Sequence, residues 1–229
     1  NNPVEALTRY VEYPSVSADS SFAEGLRGAR EFACDRLVEL GFSIDLVKTP
    51  VNPIIVATRG DPNWPKLVIY GHYDVQPPDP LDLWSSNPFK AKVREGRLYG
   101  RGAADNKGPQ IVHMSALHRV LEKNPELPLH ITYLIEGEEE IGSPSFRNFL
   151  EENKERLQGD LLLVSDTGSP NPNQLAVTTG LRGLTALEIK IFGARQDLHS
   201  GVHGGALMNP LQAMMKIFAC LLYTSPSPR

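Results

Sequence analysis

The chain has 229 residues, 41% of them hydrophobic and 22% charged, with a formal net charge of −4, the make-up of a soluble globular protein with one large domain or one domain plus part of another. The acidic balance gives no reason to expect nucleic acid, which needs a concentrated basic face, no apolar run approaches a membrane span, and the opening Asn1-Asn2-Pro3-Val4 is not a signal peptide. Cys34 and Cys220, the two cysteines, form neither a metal nor a disulfide signature, so the expected compartment is the cytoplasm.

Residues 3 to 12 carry Val4, Leu7, Tyr10 and Val11 at helical spacing. A second helix is expected from Phe22 to Leu40, closed by Gly41 as a left-handed cap. Ile54 to Thr58 and Leu67 to Gly71 read as strands, joined through a turn at Gly60-Asp61-Pro62-Asn63. Immediately after the second strand come His72 and Asp74. In extended chain, residues i and i+2 point to one side, so both can face one spot at the carboxyl end of the strand. Alone, the pair reads as a satisfied polar contact at a strand end.

Residues 75 to 96 form a long irregular connection, and a short strand at Arg97-Leu98-Tyr99 leads to Asp105-Asn106-Lys107-Gly108. The helix from Pro109 to Lys123 buries Ile111, Met114 and Leu117, with His113 and His118 in surface or packing roles. Leu129 to Ile135 is the next strand, His130 at its start being structural. It runs into Glu136-Gly137-Glu138-Glu139-Glu140, after which Ser143-Pro144 opens a helix continuing to Leu157. Further strands are expected at Leu161 to Val164, Gln174 to Thr178 and Leu184 to Phe192, with a hinge at Thr179-Gly180 and a last helix from Asn209-Pro210. Strands alternating with helices imply an α/β fold, a mostly parallel sheet covered by helices on both faces. The rhythm changes after Gly180, where a second domain begins.

One event recurs along the chain. His72 and Asp74, Asp105, the run Glu138 to Glu140, and Asp166 each follow a strand end. On one edge of a parallel sheet, at least four carboxylates and a histidine converge. Their charges would repel and raise one another's pKa unless a cation neutralised them. Individually, the glutamate run reads as a solvated patch ahead of a helix, Asp105 as a turn and Asp166 as a cap. Together they argue for bound divalent metal, two ions sharing a carboxylate. No phosphate-cradling glycine motif and no serine-nucleophile motif is present, and Cys34 sits mid-helix.

His72-Tyr73-Asp74-Val75-Gln76-Pro77, Trp84 with Pro88-Phe89, Leu98-Tyr99-Gly100-Arg101-Gly102, Asp105-Asn106-Lys107-Gly108 and Glu139-Glu140-Ile141-Gly142-Ser143 stand in an order that resembles the co-catalytic zinc aminoacylase and carboxypeptidase family. That family includes carnosinases, carboxypeptidase G, acetylornithine deacetylase and succinyl-diaminopimelate desuccinylase. The resemblance covers the chain to about residue 220. His72 to Pro77 and Asp197-Leu198-His199-Ser200-Gly201 with Gly204-Gly205 are most similar to the carnosinase-like dipeptidase branch.

The resemblance implies roles. Asp105 would bridge two ions, His72 and Asp166 would complete the ligands of one, and Glu140 would bind the other. Asp74 would orient His72, and Glu139 would be the general base. His199, from a lid and dimerisation domain, would reach into the site, while His203 is a loop residue. The implied cofactors are two divalent ions, zinc foremost, with manganese or cobalt also accepted. The implied partners are a small peptide substrate and a second copy of the chain. A C-terminal histidine ligand of the family has no counterpart here. The expected organisation is therefore a catalytic domain at 1–179, the truncated start of the lid domain at 180–222, and a disordered or non-native tail at 223–229. Hydrolysis of a dipeptide or short peptide is the expected reaction, a truncated chain being expected to be catalytically incomplete and inactive. An N-acyl amino acid deacylase is the nearest rival, ahead of a metal-poor binding protein and a two-metal phosphatase, the last disfavoured by the lack of a basic cluster.

Overall fold

The computed structural model describes residues 2–224 apart from 169–170, 172 and 175. The chain divides into two compact units, Asn1–Leu175 and Ala176–Arg229.

Helix α1 (Pro3–Val11) starts where Asn2 accepts the Val4 N–H at 3.0 Å and Pro3 supplies a preset first turn. Helix α2 (Ala23–Glu39) ends at Gly41, whose φ of +81° is the left-handed cap the sequence predicts. Five strands then build the main sheet: β1 (Ser43–Val47), β2 (Ile54–Arg59), β3 (Lys66–His72), β6 (His130–Glu136) and β7 (Leu161–Val164). Between them lie the hairpin β4 (Lys92–Arg94) and β5 (Arg97–Tyr99), and helices α3 (Lys107–Lys123) and α4 (Phe146–Glu152). The order across the sheet is β1-β2-β6-β3-β7. Since β2 is antiparallel to both neighbours and β3 is parallel to both of its own, four strands run one way and β2 alone is reversed. The class is the mostly parallel α/β sheet expected.

Alternation along each strand sends successive side chains to opposite faces, and each face has its own core. Ile55, Ala57, Ile69, Ile131, Tyr133 and Ile135 pack under α1, α2 and α3 with Tyr10, Phe32, Leu37, Ile111 and Met114. Ile54, Val56, Val68 and Leu134 face the other way, onto Phe149 of α4. The carboxyl ends of β3, β6 and β7 share one edge because the three strands pair in parallel, with β3 and β6 packed on both faces.

Several expectations are corrected. Residues 43–47, unassigned in the sequence reading, form β1, because Ile44 and Leu46 alternate with polar neighbours along an edge. Strand β5 pairs with β4 and not with the main sheet, so Asp105 reaches the edge from the turn before α3 and not from a sheet strand. Helix α4 begins at Phe146, with Ser145 as its N-cap, and ends at Glu152. Gly142 and Ser143 both take left-handed conformations (φ +86° and +50°), which no helix start can adopt. The described residues of 174–178, and all of 184–192, form no strand. Leu184 and Phe192 are exposed there, and no neighbouring strand pairs with this segment among the described residues.

The second unit holds α5 (Ser200–His203) and α6 (Pro210–Thr224). Asn209 accepts the Leu211 N–H at 2.9 Å and so starts α6 as the sequence predicts. Helix α6 includes Tyr223 and Thr224, which the sequence reading assigns to a tail, since no helix breaker precedes Pro226; residues 225–229 lie outside the described residues. His203, expected in a loop, closes α5. No helix among the described residues is long and apolar enough to cross a membrane.

Candidate metal centre

His72 is the last residue of β3 and is fully buried. Its Nδ1 lies 3.1 Å from the main-chain carbonyl of Asp74 and 3.3 Å from the Asp74 carboxylate. Both partners only accept, so Nδ1 carries a proton and Nε2 is the nitrogen turned outward. Around Nε2 stand Asp105 Oδ1 at 3.0 Å, Asp166 Oδ2 at 3.7 Å and Glu139 Oε2 at 3.9 Å. Ligand atoms of His72, Asp105 and Glu140 all fall within 4.8 Å of one another. Asp105 is exposed at the rim while His72 forms the floor.

This crowding has electrostatic consequences. Burial disfavours an imidazolium at His72, yet the carboxylates of Asp105, Asp166 and Asp74 outweigh it and push the pKa up to about 12. Burial likewise raises the carboxyls of Glu139 and Glu140, with neighbouring carboxylates adding to the rise. Asp166 is instead held low, chiefly by the imidazole of His72 beside it. A divalent cation beyond Nε2 would satisfy the same oxygens and displace the proton, so the donor set fits a hard or borderline metal.

The supports come from residues to which the sequence reading gave no role. Asn106, after a cis Asp105–Asn106 peptide, donates from Nδ2 to Asp166 Oδ1 at 2.9 Å and to the Ser165 carbonyl at 3.1 Å. Gln110 donates to the His72 carbonyl at 2.5 Å and accepts from the Tyr10 hydroxyl at 3.3 Å. Gln76 donates to Glu140 through both its main-chain N–H and its amide. The one available signal for Gln76 was its place in the run that contains His72 and Asp74. Glu138 leaves the cluster: it is buried and accepts from Thr49 Oγ1, the Asn52 N–H and the Ser145 N–H at 2.8, 2.8 and 2.9 Å, tying two loops together.

His113 approaches Ser165 Oγ at 2.8 Å, His118 pairs with Glu122 at 3.3 Å and His130 meets the Gly60 carbonyl at 3.1 Å, so none of the three joins the ligands. His199 belongs to the second unit, where its Nδ1 accepts the Gly201 N–H at 3.0 Å.

Residues 68–219 match the model of peptidase family M20/M25/M40. The chain is 33% identical to the Cys-Gly metallodipeptidase dug1 of Schizosaccharomyces pombe over 96% of its own length and 49% of that protein's. It is 32% identical to the beta-Ala-His dipeptidase of Homo sapiens, covering 97% of this chain and 47% of the relative. The crystal structure of human carnosine dipeptidase 1 superposes with a TM-score of 0.71 at 31% identity, over 95% of this chain and 49% of that one. The chain therefore spans about half the length of the relatives it matches.

Proposed function

This chain belongs to peptidase family M20/M25/M40, and on that premise we propose that its cluster holds two divalent ions, zinc foremost, and serves the hydrolysis of dipeptides. The observation that carries the reading is the gathering of His72, Asp105 and Glu140 ligand atoms within 4.8 Å, with Asp166 beside them. In the proposal His72 and Asp166 hold one ion, Glu140 the other, and Asp105 lies between. Such ions, when bound, polarise a carbonyl and lower the pKa of water.

The chain's own residues supply the rest. Asp74 keeps Nδ1 of His72 protonated and Nε2 available. Glu139 accepts the proton of the attacking water and returns it to the leaving amine nitrogen as the amide C–N bond breaks. Its partial burial among other carboxylates raises its proton affinity, which suits a base that must also act as an acid. The proposal retains His199 as donor to the oxygen that gains charge. It also includes self-association, supported by the exposed apolar residues Leu211, Met215 and Phe218 along α6.

A panel of dipeptides set against N-acetylated and N-succinylated amino acids, with zinc added, tests the reading. Dipeptide cleavage abolished by a chelator is expected. Cleavage of the acyl amino acids alone would move the chain to the deacylase reading, and no cleavage of either would overturn hydrolysis by this chain.

A further inference from the structure

Glu140 lies in a short 3₁₀ turn (Glu139–Ile141), an element too brief to fix a side chain with three rotatable bonds. Its main-chain N–H donates to Asp74 Oδ2 at 3.1 Å. Its other polar groups face Gln76. The Gln76 N–H donates to Oε1 at 3.2 Å, and the Gln76 amide donates to Oε2 at 2.8 Å and to the Glu140 carbonyl at 3.1 Å. Both carboxylate oxygens thus receive a donor from one residue, which sets the plane of the carboxylate and offsets its repulsion from neighbouring acids.

Gln76 itself is exposed and contributes nothing to either core. Exposed hydrogen bonds add little to stability. A glutamine amide whose hydrogen bonds end on one candidate ligand therefore points to a task at the site and not in folding. We propose that Gln76 is a positioning residue that orients Glu140 toward its ion and selectively strengthens that ion's binding; this rests on the metal-centre reading above. The side-chain amide is required because the Gln76 main-chain N–H reaches only Oε1, so Oε2 must take its donor from the amide. A glutamate of the same shape would place a second carboxylate against that of Glu140.

The experiment is a zinc titration of the 229-residue chain against a chromophoric chelator, for wild type, Gln76→Ala, Gln76→Glu and Glu140→Ala. Glu140→Ala identifies the zinc equivalent that depends on this carboxylate. Gln76→Ala should weaken that same equivalent about 10–100-fold, the usual loss when a ligand's hydrogen-bond partner is removed. Gln76→Glu should weaken it further, and the unfolding midpoint of the zinc-free chain should not move in either variant. Wild-type affinity in Gln76→Ala would overturn the proposal. So would an equal loss across all equivalents accompanied by a lower unfolding midpoint, which marks a mere structural prop. A wild-type chain that binds no zinc would instead overturn the metal-centre reading itself.

Discussion

At the scale of single residues, the site depends on which way each acid is turned. Glu138, Glu139 and Glu140 are consecutive, yet Glu138 is buried against Thr49 and Asn52. Glu139 comes 3.9 Å from His72 Nε2, and Glu140 is clasped by Gln76. Nothing in a run of like residues says which member faces the site. The local 3₁₀ turn and the left-handed Gly142 decide it. His72 and Asp74 were legible because strand alternation is a strong rule, whereas Gln76, Asn106 and Gln110 were not, because an amide that acts through a neighbour carries no chemical signature of its own. The role proposed for Glu139 gives a direct expectation. Glu139→Gln preserves shape and should leave zinc content unchanged while hydrolysis of the best dipeptide falls about 10²–10⁴-fold. Elemental analysis beside a turnover assay checks it, and undiminished turnover would remove Glu139 from the mechanism.

At the scale of elements, the edge that carries the site is held from two sides. The layer of α1, α2 and α3 was readable from apolar spacing, and so was the existence of β3, β6 and β7. The reversed β2 and the added β1 were not, because the direction of a strand is a property of pairing and leaves no mark on its own five or six residues. The same limit explains why Asp105 was read as following a sheet strand: Arg97-Leu98-Tyr99 has strand character, but its partner is β4. Phe149 is the central contact of the thinner face, buried against Ile54, Val56, Val68 and Leu134 and 6.1 Å from the Phe146 ring. Replacing it with alanine should cost about 3–5 kcal/mol. Urea unfolding would show this as a lower midpoint at unchanged slope, and a loss below about 1 kcal/mol would mean that α4 is not what seals that face.

At the scale of the whole molecule, folding spends two cores on a geometry that is electrostatically unfavourable by itself. Two packed layers fix the ends of β3 and β6, pairing with β3 sets β7 in register, and the chain then delivers Asp105, Glu139, Glu140 and Asp166 around one imidazole. The chain belongs to peptidase family M20/M25/M40, resembles dipeptidases in sequence and fold, and spans about half the length of those relatives. The second unit, with its exposed α6, was legible mainly through Asn209-Pro210; the strand expected at 184–192 does not form because strand character in the sequence presupposes a pairing partner. Anomalous diffraction at the zinc edge, from crystals of this chain grown with zinc, tests the account most directly. It predicts density about 2.0–2.2 Å from His72 Nε2 and from carboxylate oxygens of Asp105 and Asp166, with a second peak against Glu140. Zinc found only elsewhere on the surface, or nowhere, would contradict it.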